Sequence, residues 1–172
     1  MSRGPELLAW ARAGLRHALG GPKAVRPAVA WGDEIAATFV TWRWPDGRLQ
    51  GCLGTLEAAR GILDDIAHNT VAAGLHDPRA RKVSLAELDE LVVEVSVLSP
   101  LESIASEADI RVGSDGVVLA HTLRRATFLP IMWEQLPDLE RFMGELKRKA
   151  GLPRSFPSAE LKLWRYTVER HE

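Results

Sequence analysis

The feature that most constrains this 172-residue chain is a hairpin written into residues 35–55. Ile35, Thr38, Phe39, Val40, Thr41, Trp42 and Trp44 are β-branched or aromatic, side chains that favour extended backbone. Pro45-Asp46-Gly47 follows, with proline fixing one turn angle and glycine permitting a positive one, so residues 48–55 are expected to return as a second strand. The run Leu-Val-Val-Glu-Val-Ser-Val-Leu at 91–98 places Val93, Val95 and Val97 on one face and Glu94 and Ser96 on the other, and Pro100 closes it. A second hairpin is expected over 110–129, with Ser114-Asp115-Gly116 as turn chemistry and residues 117–120 and 126–129 as its arms. Residues 161–168 alternate Leu161, Leu163 and Arg165 with Lys162, Trp164 and Tyr166, the pattern of a final strand.

Helical spacing appears in three places. Pro5 suits a first turn, and Leu7, Leu8, Ala11, Leu15, Ala18 and Leu19 line one face before Gly20-Gly21-Pro22 stops it. Ile62, Leu63, Ile66, Thr70, Ala73 and Gly74 share a face of a second helix that ends by Asp77-Pro78, because proline disfavours helical geometry in the residue before it. Ser84 and Glu87 have capping-box spacing for one short helix. Asp138 caps the third, in which Leu139, Phe142, Met143, Leu146 and Ala150 keep helical spacing up to Gly151 and Pro153. Hairpins outnumber βαβ units, which predicts an α+β fold with a mainly antiparallel sheet flanked by helices. The length suits a single domain over 1–172.

Composition narrows the function classes. Twenty-two Lys and Arg against 23 Asp and Glu leave a formal net charge of -1, so the chain has no global field for nucleic acid or an anionic membrane. The basic groups Arg79/Arg81/Lys82, Arg124/Arg125 and 147–149 are local, and the last also complements a helix C-terminus. Glu6, Arg12 and Arg16 interrupt the first apolar stretch, so no signal peptide is expected, and no segment has the length to span a bilayer. Cys52 is the single cysteine; it cannot form an internal disulfide or a cysteine-rich zinc site, and a reducing, cytoplasmic setting is expected.

The most unusual local sequence is Leu49-Gln50-Gly51-Cys52-Leu53-Gly54-Thr55, a thiol between two glycines within a strand. Glycine there marks a bulge or the close approach of a ligand or another backbone. Cys52 in such a place reads as a nucleophile, general acid or ligand anchor, or alternatively as a small buried packing residue. A nucleophile needs a base, and His68, His76 and His121 are the candidates, His76 standing beside Asp77. His76-Asp77-Pro78-Arg79 gathers an imidazole, a carboxylate and a guanidinium in one turn, either to bind an anion or to end the helix with Asp77 capping and Arg79 paired. No zinc-type spacing joins the histidines, Asp64 and Asp65 diverge on a helix, and neither a metal nor another cofactor is expected.

In collinear order these motifs resemble the AMMECR1-domain family. Residues 49–55 are similar to its L-R-G-C-I-G-T segment, 73–79 to its A-x-x-D-P-R turn and 94–98 to its E-V-S-V-L strand. Residues 113–119 resemble its glycine-flanked hairpin, and Phe128-Leu129-Pro130 and residues 142–152 extend the likeness over most of the chain. Gln50 stands where the family has arginine, Ala80-Arg81-Lys82 replaces Phe-Pro-Pro, and Ile131 replaces a glutamine. The resemblance implies an α+β fold with a larger antiparallel-sheet part, a smaller helical subdomain and a cleft near the glycine-cysteine segment.

It also implies a role beside a Memo-like protein and a radical SAM enzyme in a modification system. In that reading Cys52 is the candidate catalytic residue with His76 as a second, and Gly51, Gly54, Thr55, Asp77 and Arg79 contact an unidentified small ligand. The alternatives are a non-catalytic adaptor in which Cys52 only packs, and nucleic-acid binding through the local basic groups.

Overall fold

The computed structural model describes residues 2–172. The strands are β1 (Ile35–Arg43), β2 (Leu49–Gly54), β3 (Arg60–Gly61), β4 (Val92–Leu98) and β5 (Glu102–Ile104), then β6 (Gly116–His121), β7 (Arg124–Phe128), β8 (Lys162–Tyr166) and β9 (Val168–His171). The α-helices are α1 (Gly4–Ala18), α2 (Ile62–Leu75) and α3 (Leu139–Lys149). The chain divides into two compact units, residues 2–98 with Glu169–Glu172, and Ser99–Val168. This is an α+β fold with antiparallel sheets.

The larger unit is built on a sheet of order β2-β1-β4-β9, with β3 paired to the start of β1. Trp44-Pro45-Asp46-Gly47 turns β1 into β2 as expected; the Gly47 N–H donates to Trp44 O, and its φ of 87° is one that glycine adopts without strain. Val40 and Trp42 of β1 and Val93, Val95 and Val97 of β4 enter one core with Leu7, Ala11 and Leu15 of α1 and Leu63 and Ile66 of α2. That core fixes which face of the sheet the helices cover. Arg12 reaches from α1 to the short 3-10 turn Leu88–Glu90, donating to Leu88 O at 2.8 Å and Leu91 O at 2.6 Å. The Ser84–Glu87 capping contacts lead into that turn, which is as short as the spacing implied.

The smaller unit carries α3 and, besides it, a sheet of its own, β5-β8-β6-β7. Asp138 caps α3 by accepting from the Glu140 N–H at 3.1 Å, and Lys147, Arg148 and Lys149 occupy its last turn. Phe142 stacks on Trp133 at 3.7 Å between ring centroids and meets Phe128 edge-on at 5.3 Å. Two expectations are corrected here. The β6–β7 hairpin turns at Thr122-Leu123, not at Ser114-Asp115-Gly116, which instead closes the loop entering β6 through Asp115 N–H to Arg111 O. Residues 161–168 are not one strand: β8 joins the smaller sheet and β9 lies beside β4, because Thr167 leaves the alternation to bond the Ser99 backbone and hydroxyl.

Candidate functional site

Cys52 lies on β2, an edge strand, directly opposite Thr41 of β1. Its side chain points away from the helices, as the register requires: Val40 and Trp42 of β1 point into the helix-covered core, so Thr41 and its partner Cys52 take the other face. The Thr41 hydroxyl donates to Cys52 Sγ at 3.1 Å, and the residue is half-buried.

The Asp-Pro-Arg turn grips the same residue from the open edge of the sheet. Asp77, 4% exposed, accepts the Cys52 N–H at 3.0 Å through Oδ2, and Arg79 Nη2 donates to Cys52 O at 3.2 Å. Arg79 also closes a two-pronged pair on Asp77, Nε to Oδ1 at 3.0 Å and Nη2 to Oδ2 at 2.7 Å. The Arg79 side chain together with the Cys52 and Arg79 N–H groups holds the Asp77 carboxyl well below the usual carboxylate range, against the opposing effect of burial. The turn thus satisfies both backbone groups that β2 would otherwise present unpaired at this position. Cys52, Asp77 and Arg79, distant in sequence, form one cluster.

The flanking glycines have internal reasons. A Cβ on Gly51 would fall inside the Ala73 carbonyl oxygen at the end of α2, and one on Gly54 would enter the Phe39 ring. Gln50 is buried and bridges, accepting from Trp44 Nε1 at 3.0 Å and donating to Arg81 O at 2.7 Å. Two of the departures from the family pattern, Gln50 and Ala80-Arg81-Lys82, therefore touch each other. Thr55 belongs to a different group of side chains. Its hydroxyl donates to Asp65 Oδ1 at 2.9 Å in a buried network around that carboxylate. Asp65 Oδ2 accepts from the Thr38 N–H and hydroxyl and from Asn69 Nδ2, and Arg60 Nε reaches Oδ1 at 3.1 Å.

Sequence reading missed this network. Its signal was present in the four-residue spacing of Asp65 and Asn69 on α2, polar residues on a face otherwise apolar.

The histidines are placed elsewhere. His76 follows α2 as its exposed C-cap, its backbone N–H on Ala72 O, and His68 is exposed on the same helix. His121 belongs to the smaller unit and packs on Phe156 at 4.8 Å between ring centroids. The basic groups are engaged in place: Arg81 with Glu87, Arg124 with Gly151 O, Lys147 with Glu107, Lys149 with Thr127 O. Among the described residues no group of three or more His, Cys, Asp or Glu side chains is arranged to hold a metal ion, and no helix is long and apolar enough to cross a membrane.

The comparison with known proteins now decides the family. The AMMECR1 family model matches residues 8–171, a span that takes in both units and every cluster described above. The chain belongs to the AMMECR1 family. A protein of Thermotoga maritima is 34% identical over 155 residues, covering 87% of each chain. Protein MJ0810 of Methanocaldococcus jannaschii is 31% identical over 188 residues, covering 100% of this chain and 90% of its own. The crystal structure of PH0010 from Pyrococcus horikoshii superposes with a TM-score of 0.83 at 29% identity, covering 97% of this chain and 89% of that one. The α+β architecture is thus shared by an AMMECR1-family relative of known structure.

Proposed function

We propose that this AMMECR1-family protein is a cytoplasmic component of a modification system, working as one domain over 1–172 beside a Memo-like protein and a radical SAM enzyme. Its ligand-contacting surface lies around Cys52. The observation that carries the reading is the double grip on one residue: Asp77 and Arg79 fix the peptide groups of Cys52, while the thiol itself stays half-buried beside Thr41. The grip satisfies the free backbone groups of an edge strand, and a reacting or ligand-holding side chain at the same position gains from the rigid backbone that results. In this arrangement Cys52 meets the ligand, the exposed Arg79 guanidinium, its charge balanced by Asp77, offers N–H donors at the edge, and Asp77 positions both. Gly51 and Gly54 act by letting α2 and Phe39 close on the strand, and Thr55 anchors the far end of β2 through Asp65.

A second reading has its own support. Both glycines and both ends of the Asp-Pro-Arg turn find their partners inside the protein, which favours an adaptor in which the cluster is scaffold and a surface patch binds the partner.

One experiment separates them: the protein is mixed with a purified Memo-like protein and radical SAM enzyme encoded in the same genome, and complex formation and product are both followed. Cys52→Ser is expected to abolish product while leaving the complex intact. Full product from Cys52→Ser would establish the adaptor reading, and no complex at micromolar concentration would overturn the partnership itself.

A further inference from the structure

We propose that the tip of the β6–β7 hairpin, Thr122-Leu123, is a knob for docking a protein: Leu123 enters an apolar cleft on the partner, and Arg124 meets a carboxylate at the rim of that cleft. This rests on the reading that the chain works beside protein partners, and it is independent of what Cys52 does. His121 and Arg124 are cross-strand partners, so the hairpin turns in two residues. Such a turn needs a positive φ at its first residue, a place that glycine, asparagine or aspartate fills with little strain. Thr122 fills it instead at a φ of 52°, and among the described residues it is the one non-glycine residue with a positive φ. Leu123 beside it is 102% exposed, so it gains no packing that would compensate.

A solitary exposed leucine is ordinary on a protein surface. The stem that carries this one is not. His121 packs on Phe156 at 4.8 Å between ring centroids, Arg124 donates to Gly151 O beyond α3, and Lys149 Nζ reaches Thr127 O at 3.0 Å. Both strands of the hairpin are therefore held in place while the leucine at its end is bare. A local choice that strains the backbone and buries nothing marks a group kept for something outside the chain.

The tip also states the chemistry of its partner. Leu123 asks for an apolar cleft one side chain deep. Arg124 is held by a carbonyl oxygen, which fixes its place without cancelling its charge, so a carboxylate suits the rim. The peptide groups of the turn need hydrogen-bond partners once they are covered, which a protein cleft supplies and a hydrocarbon layer does not.

The test titrates the full chain against the purified Memo-like protein and, separately, the radical SAM enzyme encoded in the same genome. Leu123→Ser is expected to leave the urea midpoint unchanged, because the side chain packs on nothing, and to weaken the complex about ten- to hundred-fold, the worth of one buried leucine. Leu123→Met is expected to keep most of the affinity. Val25→Ser, at another exposed apolar position but in the larger unit, is expected to keep all of it. Thr122→Gly is expected to raise the urea midpoint, since glycine takes this φ freely.

Full affinity in Leu123→Ser, where the unmodified chain forms a complex, would overturn the knob and leave the partnership standing. Equal losses in Leu123→Ser and Val25→Ser would show general adhesion in place of a seated side chain and would also overturn it, as would a lowered midpoint in Thr122→Gly. Attachment to phosphatidylglycerol vesicles that Leu123→Ser loses, with partner affinity unchanged, would assign the tip to a membrane surface instead. No complex with the unmodified chain at micromolar concentration would overturn both the knob and the partnership.

Discussion

Gly51 shows what a single residue decides in this protein. Where β2 passes the end of α2, the space that a side chain would need is already filled by the Ala73 carbonyl oxygen, a backbone atom that cannot rotate away. Gly51→Ala is therefore expected to lower stability by about 2–4 kcal/mol, from overpacking against fixed backbone. Urea denaturation checks it, and an unchanged midpoint would show that the α2 terminus yields. Gly54→Ala is expected to cost less, because its obstacle is an aromatic side chain that can swing. Glycine beside cysteine was legible as a mark of close approach, yet the sequence is silent on whether a ligand or another backbone approaches. The same holds for Asp77 and Arg79: their residue types announced a turn, but their grip on Cys52 spans 25 and 27 positions and depends on where α2 ends.

At the scale of elements, local chemistry was the reliable guide where it was redundant. α3 has a capping aspartate, apolar spacing, basic residues in the last turn and a glycine beyond, and it forms within a residue of the expected bounds. Asp138→Ala is expected to cost about 1 kcal/mol, since the Glu140 N–H loses its acceptor, and chemical denaturation of the variant measures it. Local chemistry misled where two answers satisfied it equally. Ser114-Asp115-Gly116 does form a turn, but one that precedes β6, while the hairpin turns at Thr122, which takes a φ of 52° that its β-branched side chain disfavours. The extended run over 161–168 breaks at Thr167, and only the partners available on each side divide the segment into β8 and β9.

At the scale of the molecule, the smaller unit reports on its own folding through one phenol. Tyr166, the single tyrosine, sits in the smaller unit with its ring against Gly116, and its hydroxyl meets Thr127 Oγ1 at 2.9 Å and donates to Phe128 O at 3.2 Å. Burial pushes its phenol up to about 12 from 10.0, partly offset by Thr127. The folded state then holds this proton more tightly than the unfolded chain. The stability that this confers is complete below pH 10, declines above it, and is gone once pH passes about 12. Phenolate absorbance is expected to rise near pH 10 in concentrated urea and near 12 in the native protein, or together with alkaline unfolding if that comes first. Coincident native and denatured curves would show an exposed phenol.

The sequence by itself determined the strands and helices whose signals lie within a few residues, the α+β class that follows from hairpins outnumbering crossovers, and the AMMECR1 family membership carried by short collinear motifs. Periodicity and turn stereochemistry act over a span that one strand or one helical turn defines, so they can be read without knowing the fold. Tertiary structure alone decided that the last strands belong to different sheets, that Asp65 and Asn69 close a buried network with Thr38 and Thr55, and that Cys52 stands in line with Thr41 and Glu94. Those placements rest on register between segments far apart in the chain. Register is chosen by which faces the core buries, a choice the residues make only together.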